Sequence, residues 1–299
     1  MAKLKADRIG QPDFLEYLNA YSDFSFELAV LKMLRESGLN CEHGGLYEDA
    51  VTKKSREFDI RAITAIQRYR VRLAIECKNV RENFPILISC IPRHEQESYH
   101  QVSMVSDPKF VDPFLAMNFH QSRATTLSIL GEHSMYKRGE PVGKSTAQVG
   151  RAVDGSISAN DSELYEKWGQ CLSSAADLVE RVYWEGYDDD DKEAVYQSMV
   201  IPFVVVPNDR LWIVLYDEDG NRMSDPEPSN RCSCFIGKDY EMGTKLAGTR
   251  MWLSHVEIVT FDGMRSFVQR YFSSQEAVCQ LFQKEGIIAA RLRAAETKT

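Results

Sequence analysis

Within the stretch SREFDIRAITAIQRYRVRLAIECKN, Asp59, Glu76 and Lys78 have the types and spacing of a hydrolytic centre. Strand side chains alternate between two faces, so in RLAIECKN the Glu76 carboxylate and the Lys78 ammonium share one face while Ile75 and Cys77 take the other. Asp59 falls on the preceding strand of the same hairpin, which lets its carboxylate converge with that of Glu76. Two convergent carboxylates repel unless a cation lies between them. A hard divalent ion with oxygen ligands, Mg²⁺ or Mn²⁺, is the natural occupant. With that ion as Lewis acid, a lysine on the same face would hold a water or hydroxide nucleophile and stabilise charge on a phosphate oxygen. The chemistry this set suits is hydrolysis of a phosphodiester.

The surrounding elements must bring these groups together. FSFELAVLKMLRE, Phe24 to Glu36, reads as a helix opened by Ser22 or Asp23 and stopped by Gly38. At about 100° per residue, Phe26, Val30, Leu31 and Leu34 form its apolar arc, and Glu27 falls inside it. Such a carboxylate is either an edge residue that reaches solvent or a group held inward near a cation or metal. Strands are predicted near Gly45 to Val51, over REFDIRAITAI, over RVRLAIECKNV and over PILISCI, the second and third joined by a polar turn around Gln67 to Tyr69. From about Pro92 to Asn160 short helical patterns such as RHEQESYHQVSM suggest an insertion. DSELYEKWGQCLSSAADLVERVYW is the clearest helix, capped by Asp161 or Ser162, with Leu164, Trp168, Cys171, Leu172, Ala175, Val179 and Val182 on one stripe. SMVIPFVVVPN and RLWIVLYDEDG read as strands joined by a tight turn at Pro207 to Asp209. HVEIVTFDGMRSFVQRYF reads as strand then helix, and SQEAVCQLFQKEGIIAARLRAA as further helix. Trp212, Tyr216 and Trp252 sit in strand patterns and are expected in the core.

Asp59, a spacer of sixteen residues, then Glu76-Cys77-Lys78, behind a helix carrying Glu27, resembles the PD-(D/E)xK nuclease superfamily. The resemblance implies an α/β, restriction-endonuclease-like core, a mixed central sheet flanked by helices in the order α-β-β-β-α-β. It spans Phe24 to Asn79 directly, with the Asp161 to Trp184 helix and the Met199 to Val206 strand completing it. By that resemblance Asp59, Glu76 and Lys78 are catalytic. Metal contacts are implied for Asp59, Glu76, Glu27 and the Cys77 backbone carbonyl, with the Cys77 side chain facing the core. Phe58 stands where the family name has proline, and the insertion after Lys78 displaces the second core helix. The implied organisation is a single nuclease-like domain over 1–299, with a core at about 22–91 and 161–206, an insertion at about 92–160 and a C-terminal α/β extension at about 207–299. The implied function is a Mg²⁺- or Mn²⁺-dependent deoxyribonuclease in bacterial restriction, phage defence or repair, acting on DNA as a homodimer or with a partner subunit. The alternative is a nuclease fold that has lost activity and binds nucleic acid or a protein partner.

Composition bounds these readings. The chain has 299 residues, 43% of them hydrophobic, and a formal charge of -8, which argues against coating nucleic acid through bulk charge. Between Val51 and Arg81, however, nine basic residues face three acidic ones, a local balance of +6. The longest apolar run, MVIPFVVVP, is too short to cross a membrane, and the N-terminus has no apolar leader segment, so a cytoplasmic protein is expected. Seven cysteines without a CxxC pair read as reduced thiols, and the lone CxC of Cys232 and Cys234 is a weak zinc signal. RGEPVGKSTAQ ends like a phosphate-binding loop but leaves three residues between its glycines where the motif needs four, and reads as a loop-to-helix junction. The histidines, His43, His94, His100, His120, His133 and His255, lack ligand spacing and are expected on the surface or in packing; Ser128 and Ser134 lack a nucleophile-elbow setting.

Overall fold

The computed structural model describes residues 7–106, 124–160, 162–185, 195–243 and 249–282. Its first elements are helices α1 (Gln11–Ala20) and α2 (Phe24–Glu36), then strands β1 (Asn40–Glu48), β2 (Ser55–Ile66), β3 (Tyr69–Cys77) and β4 (Ile86–Pro92). Strands β5 (Tyr99–Ser106), β6 (Ala124–Leu130), β7 (Pro141–Arg151) and β8 (Ile157–Asn160) precede helix α3 (Ser162–Val182). Strands β9 (Val195–Val206), β10 (Leu211–Leu215), β11 (Glu227–Pro228), β12 (Arg231–Glu241) and β13 (Arg250–Thr260) follow, then helices α4 (Phe261–Phe272) and α5 (Gln275–Cys279). The predicted cap Asp161 and the C-terminal helix beyond residue 282 lie outside the described residues.

All thirteen described strands belong to one mixed sheet, ordered β1-β2-β3-β9-β13-β12-β7-β4-β10-β11, with β5 against β9 and β6, and β8 against β7. The architecture is therefore α/β, a large mixed sheet flanked by helices. β1, β2 and β3 are antiparallel neighbours, whereas β3 and β13 run parallel to β9. That central strand is buried on both faces over nearly its whole length, which explains the apolar run VIPFVVV. Pro202 is tolerated there for a local reason. Gln197 N–H bonds the Arg68 carbonyl and the Val205 carbonyl accepts from Lys78 N–H, so odd-numbered positions of β9 bond toward β3. Pro202 faces the other side, in the interval where pairing with β5 has ended at Ser198 and pairing with β13 begins at Phe203. No ladder partner loses a donor.

Helix α3 covers one face of this strand group. Cys171 Sγ lies 3.5 Å from the Ala74 carbonyl and 3.2 Å from that of Phe203, and Arg61 of β2 donates to Asp177 Oδ2 at 2.6 Å. Phe267 of α4 meets Phe203, which is registered with Ile75 on the face away from Glu76, and Phe26 of α2 meets Phe261 of α4, so α2 and α4 lie on the opposite face. The predicted stripe of α3 is buried at Leu164, Cys171, Ala175, Val179 and Val182, joined by Ser174 and Leu178, while Trp168 and Leu172 are half-buried.

Three sequence expectations are corrected, and one connection is refined. RHEQESYHQVSM is a single 3₁₀ turn, Glu95–Glu97, followed by β5: pairing with β6 and β9 draws Tyr99–Ser106 into the sheet and leaves the Glu-rich part only one turn. GKSTAQ lies within β7, hydrogen-bonded between β12 and β4, and caps no helix. The expected tight turn does join β9 to β10, with Asp209 at φ +62°, and β10 then runs parallel to β4. Trp212 and Tyr216 are only half-buried and Trp252 is 41% exposed, so none of the three is a core residue.

Candidate active site

Pairing of β2 with β3 runs from Ile66↔Tyr69 to Ile60↔Ile75 and stops there. Asp59 and Glu76 occupy the next positions, where the strands part. The Cys77 N–H donates instead to Asp59 Oδ2 at 2.7 Å, so the carboxylate takes over the role of a ladder carbonyl. A second donor reaches the same oxygen. Lys167 Nζ of α3 lies 2.8 Å from Asp59 Oδ2 and 3.4 Å from Glu76 Oε2, an ammonium shared by two carboxylates. Asp59 and Glu76 thus converge on one face.

Glu76 is fully buried, and its Oε1 has no hydrogen-bond partner. Desolvation, with the Asp59 charge second, pushes its pKa up to about 8, against the opposing pull of Lys167. Burial alone would lower the Lys167 pKa, but Asp59 and Glu76 outweigh it and hold the ammonium more basic than an ordinary lysine. The Cys77 side chain is buried among the apolar residues of the other face.

Lys78 lies one residue past the end of β3, with its N–H still bonded to the Val205 carbonyl. Strand β3 ends at Cys77, and the Lys78 ammonium pairs with Asp23 at 3.4 Å and Glu163 at 3.8 Å. Asp23 also accepts the Asn79 N–H at 2.7 Å, so this N-cap residue holds the exit of β3 and makes no side-chain cap of its own helix. Ser22 Oγ accepts the Phe24 N–H at 3.3 Å.

Glu27 points inward, and its Oε2 lies 3.4 Å from His43 Nε2. Partial burial and the Asp59 charge raise its pKa, while His43 lowers it. Gly44, with φ +66° in the left-handed region, follows His43 where β1 runs beside the Asp59 segment. A cleft of about 450 Å³ opens here, lined by Phe24, Glu27, His43, Arg56, Glu57, Asp59 and Lys167 among others. Glu27 and Asp59 are in its wall, Glu76 is sealed behind Lys167, and Lys78 lies outside the lining.

Sequence reasoning missed Lys167, His43 and Asp23. A signal existed for Lys167: it stands three residues after Leu164 and four before Cys171, inside the apolar arc of its helix. The local positive balance is also mostly spent internally. Arg61 is buried against Asp177, and Arg70 and Arg72 pair with Glu185, while Lys53, paired with Glu48 on the surface, Lys54, Arg56 and Arg81 are exposed to solvent.

All seven cysteines are free thiols, and Cys90 and Cys232 approach to 3.5 Å between sulfurs. Among the described residues no set of three or more His, Cys, Asp or Glu side chains is gathered to hold a metal ion, and no helix is long and apolar enough to cross a membrane. No family model, curated protein or solved structure matches the chain.

Proposed function

We propose that this chain is a metal-dependent deoxyribonuclease with a PD-(D/E)xK-type centre on a restriction-endonuclease-like core, built on Asp59, Glu76 and Lys167. The observation that carries the reading is the pair of carboxylates sharing one cation, Asp59 in the cleft wall and Glu76 behind it, with a fully buried Glu76 oxygen left without a partner. A structural ion pair has no need of such an oxygen. The order α2-β1-β2-β3-α3-β9 around the pair adds support.

Two convergent carboxylates are the oxygen pair a hard divalent ion takes. Asp59 and Glu76 would hold it, with Glu27 as an additional oxygen and the Cys77 carbonyl within the same strand end. When bound, Mg²⁺ or Mn²⁺ supplies Lewis-acid polarisation of the phosphodiester and lowers the pKa of the attacking water. The protein's own groups do the rest. Asp59, fixed by the Cys77 N–H, sets the position of the scissile phosphate relative to β2 and β3. Lys167, at 2.8 Å from Asp59 and 3.4 Å from Glu76, would be the cation near enough to stabilise charge developing on a phosphate oxygen. Lys78, anchored by Asp23 and Glu163, serves as a positioning cation at the margin.

One observation favours a second reading, a non-catalytic module. Lys167 already compensates both carboxylates without any added ion. Supercoiled, linear duplex and single-stranded DNA incubated with Mg²⁺, Mn²⁺ or EDTA separate the two. Metal-dependent cleavage that disappears in Asp59→Asn and Lys167→Ala supports the nuclease; intact DNA under every condition, with no metal bound, supports the module.

A further inference from the structure

We infer that Phe24 and Tyr21 form a base-stacking platform at the mouth of this cleft, so that the strand entering it is single-stranded. The inference rests on the nuclease reading and specifies its substrate form. Both rings are more than half exposed, Tyr21 at 55% and Phe24 at 57%, although large aromatic side chains usually seek cover. Phe24 lines the cleft beside Glu27 and Asp59, and its ring lies 5.9 Å from that of His43, which holds it in place from one side. Tyr21, three residues earlier, carries the Arg81 guanidinium 5.6 Å from its ring centroid. Between the two rings stand Ser22 and Asp23, tied to Asn79 and Lys78 beside the end of β3. The platform and the carboxylate centre are therefore parts of one rigid junction.

The chemistry of the rings selects the ligand. Exposed aromatic faces next to guanidinium groups bind nucleobases by stacking, while the cations track the backbone. Arg81 at Tyr21 and the exposed Arg56 in the cleft wall supply those cations. The centre itself is acidic, with Glu27, Glu57, Asp59 and Glu76 near it, so it offers a flanking phosphate little attraction and leaves the neighbouring nucleotides to be held by their bases. A paired duplex hides its base faces inside the stack and presents nothing for Phe24 or Tyr21 to cover.

The test is anisotropy of fluorescein-labelled oligo-dT and of a duplex of equal length, in EDTA at fixed salt, with the full chain and its molar mass measured alongside. Single strands are expected to bind at least tenfold more tightly than duplex. Tyr21→Ala and Phe24→Ala should each weaken single-strand binding by about 5- to 150-fold, the range for loss of one stacked base, with duplex binding little changed. Tyr21→Phe, which keeps the ring, should retain it, as should Leu15→Ala on the exposed helix α1. Equal affinity for duplex, or no effect of the alanine variants, overturns the inference; metal-dependent cleavage by the same protein would leave the nuclease reading intact. A wild-type dimer that the alanine variants convert to monomer also overturns it, by showing that a second copy covers the rings. Single-strand binding lost with the rings but without cleavage under any metal supports the platform and removes the catalytic reading alone.

Discussion

At the scale of single residues, the decisive group is Lys167. It is the one ammonium in contact with both Asp59 and Glu76, and neither carboxylate has another cation that close among the described residues. Removing one partner of a buried ion pair leaves an uncompensated charge, a loss of about 3–5 kcal/mol. Lys167→Ala is therefore expected to lower stability in EDTA by roughly that amount, and to lower any cleavage rate by about 100-fold or more. Lys78→Ala, which loses only the partly exposed pairs with Asp23 and Glu163, should cost about 1 kcal/mol or less. Thermal melts add a readout independent of activity: if the carboxylates take a divalent ion, Mg²⁺ raises the melting temperature of Lys167→Ala more than that of the wild type. Equal Mg²⁺ response in both would show that Lys167 and the ion do not share a position. Asp59 and Glu76 were legible in the sequence because a short hairpin fixes their register. Lys167 was less legible because it acts only after α3 docks on the sheet, and the partners of Lys78, Asp23 and Glu163, come from helices whose placement the hairpin does not fix.

At the scale of elements, periodic segments with clear end signals were read from the sequence nearly to the residue. Helix α2 has its Gly38 at φ +85° just past its end, and α3 buries most of its predicted stripe. The strands of residues 99–151 were not legible, because what makes them strands is the partner each finds: β9 for β5, and β4 and β12 for β7. This weaving has one tight joint. β12 and β7 share the single registered pair Cys234↔Gly143, and Gly143 also pairs with Cys90 of β4. A Cβ on Gly143 would come within 2.5 Å of Cys234 Sγ and 2.8 Å of Ile88 Cγ2. Gly143→Ala is accordingly expected to lose about 1–3 kcal/mol by overpacking, and Cys234→Ala in the same chain to restore part of it. Chemical denaturation of the two single variants and the double variant measures the coupling; strict additivity would mean that the joint is looser than the contacts indicate.

At the scale of the whole molecule, buried titratable groups set opposing pH limits on stability in the absence of metal. His100 accepts no easy proton: it is buried, bonded through Nε2 to the Leu281 carbonyl at 2.8 Å, and burial lowers its pKa to about 4. His255, stacked 3.7 Å from Tyr136 and flanked by Arg93, is lowered to about 3, again chiefly by burial. Below about pH 6.5 the unfolded chain takes up protons at these two positions that the folded chain refuses, so stability falls with acidification, by about 3 kcal/mol for His100 near pH 4. Glu76 works in the other direction. Its folded pKa of about 8 lies above the unfolded value, so its contribution is full below about pH 4.5 and is lost as pH rises toward 8. The melting temperature in EDTA is thus expected to peak at about pH 5.5–6.5 and to fall on both sides. Glu76→Gln should flatten the alkaline fall and His255→Phe the acid one, each leaving the opposite limb in place. A Glu76→Gln profile that parallels the wild type between pH 5 and 8 would show that the carboxylate is ionised at neutral pH, its charge already matched by Lys167, and would shift the energetic weight of the centre onto that lysine.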